Sequence, residues 1–147
     1  MAAATHLLDN GVLARMAKPE VAARVEPLID AGLGASCSVT DLEQLFSARS
    51  GIEHREWRED IALRFVRVAI TQRAFDHAIA VQGLLADKGQ HRAASIPDLI
   101  VAAVSEQAEI TLLHYELFNP RSGPFWSQQG YRPLWTALEA RPASRLR

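Results

Sequence analysis

Apolar positions along the chain switch repeatedly between a period of two and a period of 3.6, and the switches predict alternating strands and helices. Thr5 to Leu8 reads as a short strand stopped by the turn signal Asp9-Asn10-Gly11, and Val12 to Met16 then reads as helix. Pro19 opens a second helical stretch, with Val21, Val25, Leu28 and Ile29 on one face as far as Gly32 and Gly34, and Pro27 predicts a kink or a division within it. Ala35 to Val39 is the second predicted strand. It runs into Thr40-Asp41-Leu42-Glu43, a capping-box pattern ahead of a helix whose buried face is Leu42, Leu45 and Phe46. Gly51 to Asp60 interleaves charges of both signs at helical spacing, as a solvated helix face does. Phe65 to Ile70 is the third expected strand, and Gln72 to Lys88 a helix with Phe75, Ala78, Ile79, Val81, Leu84 and Leu85 inward, closed by Gly89. Ser95 or Ile96 caps the next helix, Pro97 fits its first turn, and Leu99, Ile100, Ala103 and Val104 form its buried face. Ile110 to Tyr115 is an uninterrupted apolar strand of the kind a parallel sheet buries on both faces.

Strands alternating with helices predict an α/β domain, and in such sheets the functional crevice lies beyond the carboxyl ends of the strands. Four acids fall there. Asp9 follows the first strand, Glu116 follows the strand ending at Tyr115, and Glu43 and Asp98 each stand near the start of a helix. Each has an ordinary explanation: Asp9 as a turn former, Glu43 as the partner of Thr40 in a capping box, Asp98 as an acid at a positive helix end. Together they make a cup of carboxylates that repel one another unless a cation is present. Oxygen-only ligation points to Mg²⁺ or Mn²⁺, and the chemistry such an ion serves is phosphodiester hydrolysis by a metal-activated water.

Composition bounds the reading. The chain of 147 residues is 48% hydrophobic and 22% charged, as expected of one globular domain. A net charge of −1 gives no broad basic field for stable nucleic-acid binding, so contact with RNA is expected to be brief. Arg55, Trp57 and Arg58 are an alternative RNA-contacting face within the charged helix. The single cysteine, Cys37, excludes an internal disulfide and a Cys-based zinc cluster, and is expected in a buried strand of a protein in the reducing cytoplasm. His77 and His91 have no partner at metal-ligand spacing and read as surface or packing residues. No run reaches the roughly 20 apolar residues of a membrane span, and the start lacks the pattern of a secretory leader, so a cytoplasmic protein without membrane contact is expected.

Asp9-Asn10 after Leu7-Leu8, Thr40-Asp41-Leu42-Glu43 continuing into Ser47-Ala48-Arg49-Ser50, Ile96-Pro97-Asp98-Leu99 through Ala103, and Leu113-His114-Tyr115-Glu116 resemble, in this order and spacing, the PIN-domain ribonuclease toxins of the VapC type, especially the mycobacterial ones. The resemblance covers roughly residues 5 to 116. It implies a three-layer α/β/α PIN-like domain with a central, mostly parallel sheet. It also implies Mg²⁺- or Mn²⁺-dependent endoribonuclease activity on structured RNA such as tRNA or rRNA, a homodimer, and a cognate VapB-type antitoxin whose C-terminal segment covers the site. Carried over by position, Asp9, Glu43, Asp98 and Glu116 are the acidic, catalytic set, with Asp9 and Asp98 the most direct metal ligands. Leu42, Leu45 and Phe46, with the Val21 to Ile29 region, are candidates for dimer or antitoxin contact.

The chain departs from the family pattern at two places. Gly11 stands where a Ser or Thr usually follows the first Asp, and the usual Asp-x-Asp-Phe after His-Tyr is here Glu116-Leu117-Phe118. The expected organisation is a core over residues 1–116 and an atypical basic segment over 117–147, which carries five arginines against Glu139 and hints at a helix from Pro133 to Ala140. Phosphatases of the haloacid dehalogenase type and phospho-receiver domains fit poorly, because both need a late lysine and none follows Lys88. The alternative from another class is a weakened PIN-domain module that keeps antitoxin binding without cleavage.

Overall fold

The computed structural model describes residues 3–115, 132–134 and 137–140. Its elements in chain order are β1 (His6–Leu8), α1 (Asn10–Leu13), α2 (Pro19–Asp30), β2 (Gly34–Ser36), α3 (Ser38–Phe46), α4 (Gly51–Arg64), β3 (Val66–Arg67), α5 (Gln72–Asp87), α6 (Ile96–Gln107), β4 (Thr111–Tyr115), β5 (Arg132–Leu134) and β6 (Ala137–Ala140). The strands form one sheet in the order β3-β2-β1-β4-β6-β5. β3, β2, β1 and β4 are parallel, while β6 pairs antiparallel with β4 and with β5.

Strand side chains point alternately to the two faces, and here both faces are covered. Leu7, Ala35 and Leu112 bury against α5 and α6 through Ala74, Ala78, Leu85, Leu99, Val101 and Val104. Leu8 and Leu113 bury on the other face with Val12, Val21, Val25, Ile29, Ile61 and Phe65 from α1, α2, α4 and its C-cap. The result is the expected three-layer α/β/α arrangement around a mostly parallel sheet. β1 and β4 lie at its centre in the register Leu7 to Leu112 and Leu8 to Leu113, so Asp9 emerges beside the end of β4.

Several local expectations are corrected. α2 is one helix, not two: Pro27 removes a hydrogen bond to the carbonyl of Ala23, but both residues face solvent, where water can satisfy that oxygen. β2 ends at Ser36, and Cys37 is the buried N-cap of α3 instead of a strand residue. Thr40 then sits in the first turn, where its Oγ1 accepts from Cys37 N at 3.1 Å and donates to Cys37 O at 2.8 Å. The Thr40–Glu43 capping box is therefore absent, and Glu43 belongs to the second turn. This start also rotates the helix, burying Thr40 and Asp41 and leaving Leu42 and Phe46 67% and 91% exposed. β3 is confined to Val66–Arg67 at the sheet edge, extended only by Val68 N donating to Ser36 O. In α5 the buried face is Ala74, Ala78 and Leu85, whose small alanines admit α6, while Phe75, Ile79 and Leu84 are exposed. The helix expected from Pro133 to Ala140 is replaced by the β5–β6 pair. Gly32 and Gly89, both with φ of 68°, follow α2 and α5 in the left-handed conformation that glycine adopts without strain.

Candidate metal centre

β1 delivers Asp9 to the sheet edge, where its backbone N–H donates to Leu113 O at 3.1 Å and its carbonyl accepts from Val12 and Leu13 as α1 begins. This fixes the residue twice, as the end of a strand and as the N-cap of a helix. Its side chain is buried and does not cap α1. Instead, Asp9 Oδ2 accepts from Nδ1 of His114, also buried, at 2.6 Å. Such a charge-assisted bond between two buried groups holds the carboxylate in one orientation.

Asp98 arrives from the opposite side, in the first turn of α6. Ser95 Oγ accepts from Asp98 N, and Asp98 Oδ2 accepts from Ser95 N, both at 3.2 Å, so a reciprocal capping box pins the acid. Carboxylate oxygens of Asp9 and Asp98 and a ring nitrogen of His114 all lie within 4.8 Å of one another.

Glu43 reports on the same cluster. Its pKa is pushed up to about 7, first by burial, then by the negative charges of Asp9 and Asp98, against a smaller opposing effect of His114. Of the four acids expected from the sequence, Asp9, Asp98 and Glu43 thus share one electrostatic environment. Glu116 lies outside the described residues.

The pattern of the chain does not mark two residues, one within the cluster and one bracing the helix that carries Glu43. His114 looks from the sequence like one polar position within an apolar strand, and its only signal is that it stands one residue from the strand's carboxyl end, on the side of the turn at Asp9. Arg67 pairs with the buried carboxylate of Asp41 in the first turn of α3, tying edge strand β3 to the helix that carries Glu43. Nothing in the pattern of Phe65 to Ile70 marks Arg67 for that contact. His77, read as a surface or packing residue, is partly exposed and pairs with Glu106 between α5 and α6, away from the acids.

The donor set fits a divalent cation. Like charge is part of what pushes Glu43 upward, and a cation among the carboxylates removes that pressure. Carboxylate oxygens suit hard ions such as Mg²⁺ and Mn²⁺. His114 turns Nδ1 toward Asp9, so it serves to orient a ligand.

No protein-family model matches the chain. Among curated proteins it is similar to Ribonuclease VapC21 of Mycobacterium tuberculosis, 44% identical over 114 residues that make up 76% of this chain and 80% of that protein. It is likewise 40% identical to Ribonuclease VapC2 of the same species, over 75% of this chain and 79% of the relative. This chain belongs to the VapC ribonuclease family. Solved structures agree on the fold of this VapC-family chain. A toxin-antitoxin complex from Klebsiella pneumoniae superposes with a TM-score of 0.58 at 17% identity, covering 74% of this chain and 83% of that one. VapBC2 from Rickettsia felis, bound to a DNA fragment from its promoter, does so at 0.58 and 13%, covering 73% and 84%.

Gly11, a departure from the usual VapC pattern, has a local reason. A Cβ there would meet Tyr115 O at 3.0 Å and Asp9 Oδ2 at 3.3 Å, so glycine allows the first turn of α1 to close against the end of β4.

Proposed function

We propose that this chain is the toxin of a toxin-antitoxin pair and an endoribonuclease that hydrolyses phosphodiester bonds of structured RNA, tRNA or rRNA, with Mg²⁺ or Mn²⁺ held by Asp9, Asp98, Glu43 and Glu116. The observation that carries this reading is the convergence of Asp9, Asp98 and His114 within 4.8 Å, beside a Glu43 whose pKa is raised by both aspartates. Support also comes from relatives named ribonucleases and from structural neighbours that are toxin-antitoxin complexes.

The residues divide the work. Ser95 holds Asp98 and His114 holds Asp9, so two carboxylates are oriented before any ion arrives. Glu43 holds a proton up to about pH 7 and gives it up as charge in the cup is neutralised. When bound, the ion supplies water activation and stabilises negative charge on the phosphoryl oxygens. Leu42 and Phe46, one turn apart and exposed on α3, are assigned to contact with a second copy in a homodimer, and a VapB-type antitoxin is the partner that silences the site. The cytoplasm, where RNA is the substrate at hand, is the proposed location.

Purified, antitoxin-free protein incubated with total tRNA and rRNA tests the reading. Discrete fragments with Mg²⁺ or Mn²⁺, abolished by chelator, are expected. Folded protein that cuts neither RNA with either ion would contradict the ribonuclease reading and favour the non-cleaving, antitoxin-binding module.

A further inference from the structure

Just outside the acidic cup, two cations converge on one aromatic ring. The guanidinium carbon of Arg15 lies 4.5 Å from the centroid of Tyr115, and Lys18 Nζ lies 5.2 Å from it and donates to the phenolic oxygen at 3.0 Å. Each contact is favourable alone. Two positive charges on one ring nevertheless repel, and among the described residues neither Arg15 nor Lys18 forms an ion pair with a carboxylate. An anion between them would relieve that repulsion.

Gly11 connects this pair to the acids. Arg15 Nη1 donates to Gly11 O at 2.9 Å. The point a Cβ of Gly11 would occupy lies 3.8 Å from Arg15 Nη1 and 3.3 Å from Asp9 Oδ2, so the guanidinium and the carboxylate flank the same turn, close enough to meet neighbouring groups of one ligand. Tyr115 is buried, which fixes the platform, whereas Lys18 is exposed and Arg15 partly so, which leaves their charges accessible.

We infer that Arg15 and Lys18, mounted on Tyr115, form a phosphate-binding subsite that holds the RNA phosphate next to the one addressed by Asp9 and Asp98. This rests on the ribonuclease reading for the identity of the ligand. A guanidinium and an ammonium held on one ring both suit phosphodiester oxygens, and the small number of contacts matches a chain whose net charge of −1 provides no broad basic field. Arg15 and Lys18 are binding residues here; they transfer no proton and form no bond.

Binding without cleavage tests this separately from catalysis. A fluorescently labelled single-stranded RNA oligonucleotide is titrated with the full chain in chelator across a salt series, and affinity is read from anisotropy. Each phosphate contact to a single strand contributes about 0.7 to the log–log salt slope. The double variant is expected to flatten the slope by about that amount and to bind about tenfold more weakly at low salt, with Arg15→Ala and Lys18→Ala each giving part of the change. Arg15→Lys keeps the slope, and Arg64→Ala on α4, whose side chain pairs with Asp60, changes nothing. Because Arg15 also holds the Gly11 carbonyl, melting temperatures are compared, and exposed Lys18 decides the matter if Arg15→Ala unfolds. A double variant, or a Lys18→Ala variant standing in for it, with wild-type affinity and slope overturns the subsite, also where binding of a protein partner falls instead. Loss of slope in a chain that cleaves no RNA with either metal sinks the ribonuclease reading and leaves the subsite standing; cleavage with an unchanged slope does the reverse.

Discussion

His114 Nδ1 lies 2.6 Å from Oδ2 of Asp9, a residue 105 positions earlier, and both side chains are buried. The parallel pairing of β1 with β4 brings them together: Leu8 is in register with Leu113, so the residues that follow on each strand are neighbours. His114→Ala leaves the Asp9 carboxylate buried without this donor. Stability is expected to fall by about 1–3 kcal/mol, and affinity for Mn²⁺ by about ten- to a hundredfold. Urea denaturation and calorimetric Mn²⁺ titration check the two effects, and an unchanged Mn²⁺ affinity would remove His114 from the site.

Glu43 makes the cup sensitive to pH. Its pKa rises from 4.5 to about 7, so between these values the folded chain binds a proton that the unfolded chain has released. The stability linked to that proton is fully present below pH 4.5 and is lost as pH rises through about 7. Urea midpoints for wild type are therefore expected to drop from pH 5 to pH 8 relative to Glu43→Gln, whose side chain does not titrate. Saturating Mn²⁺ at pH 8 should restore the wild-type midpoint. Parallel pH profiles for the two proteins would contradict this assignment.

Arg67 and Asp41 act at a distance from the acids, through α3. Arg67→Ala leaves a buried carboxylate without its cation and is expected to cost about 1–3 kcal/mol. Asp41→Asn in the same chain should recover part of that loss, because the amide carries no charge to strand. Denaturation of the single and double variants gives the coupling directly, and strict additivity would show that the pair contributes nothing.

The apolar pair on α3 is the proposed contact between copies. Phe46→Glu places a charge on a side chain that is 91% exposed, so the fold should tolerate it. Light scattering after size exclusion is expected to show a dimer for wild type and a monomer for the variant. A variant that remains dimeric would move the interface elsewhere.

Local rules made α6 readable from its residues. Ser95, Pro97 and Asp98 announce a capped helix start, and the apolar period behind them identifies the buried face, so Asp98 could be placed before its neighbours were known. Asp9 was legible for a similar reason, since a turn signal directly after a strand marks the sheet edge. Glu43 came to the acids by a different local route: Thr40 bonds back to Cys37, α3 starts earlier, and Glu43 lies one turn further in. The same shift exposes Leu42 and Phe46, which amphipathic logic had buried. His114 and Arg67 were not legible because their partners, Asp9 and Asp41, are supplied by strand pairing and helix docking, which leave no periodic trace in the chain. In the C-terminal segment, Leu134 and Leu138 match a helical spacing, but pairing of β6 with β4 prevails.

The carboxylate cup is tested most directly by counting bound Mn²⁺ from the loss of the free-ion paramagnetic resonance signal, in wild type and in Asp98→Asn. The asparagine keeps an oxygen to accept from Ser95 N, so the helix start survives while the charge is removed. Saturable Mn²⁺ binding by wild type, displaced by Mg²⁺ and weakened at least tenfold in the variant, is the predicted result. Folded wild-type protein that binds no Mn²⁺, or an Asp98→Asn variant that binds it as tightly, would contradict the metal centre.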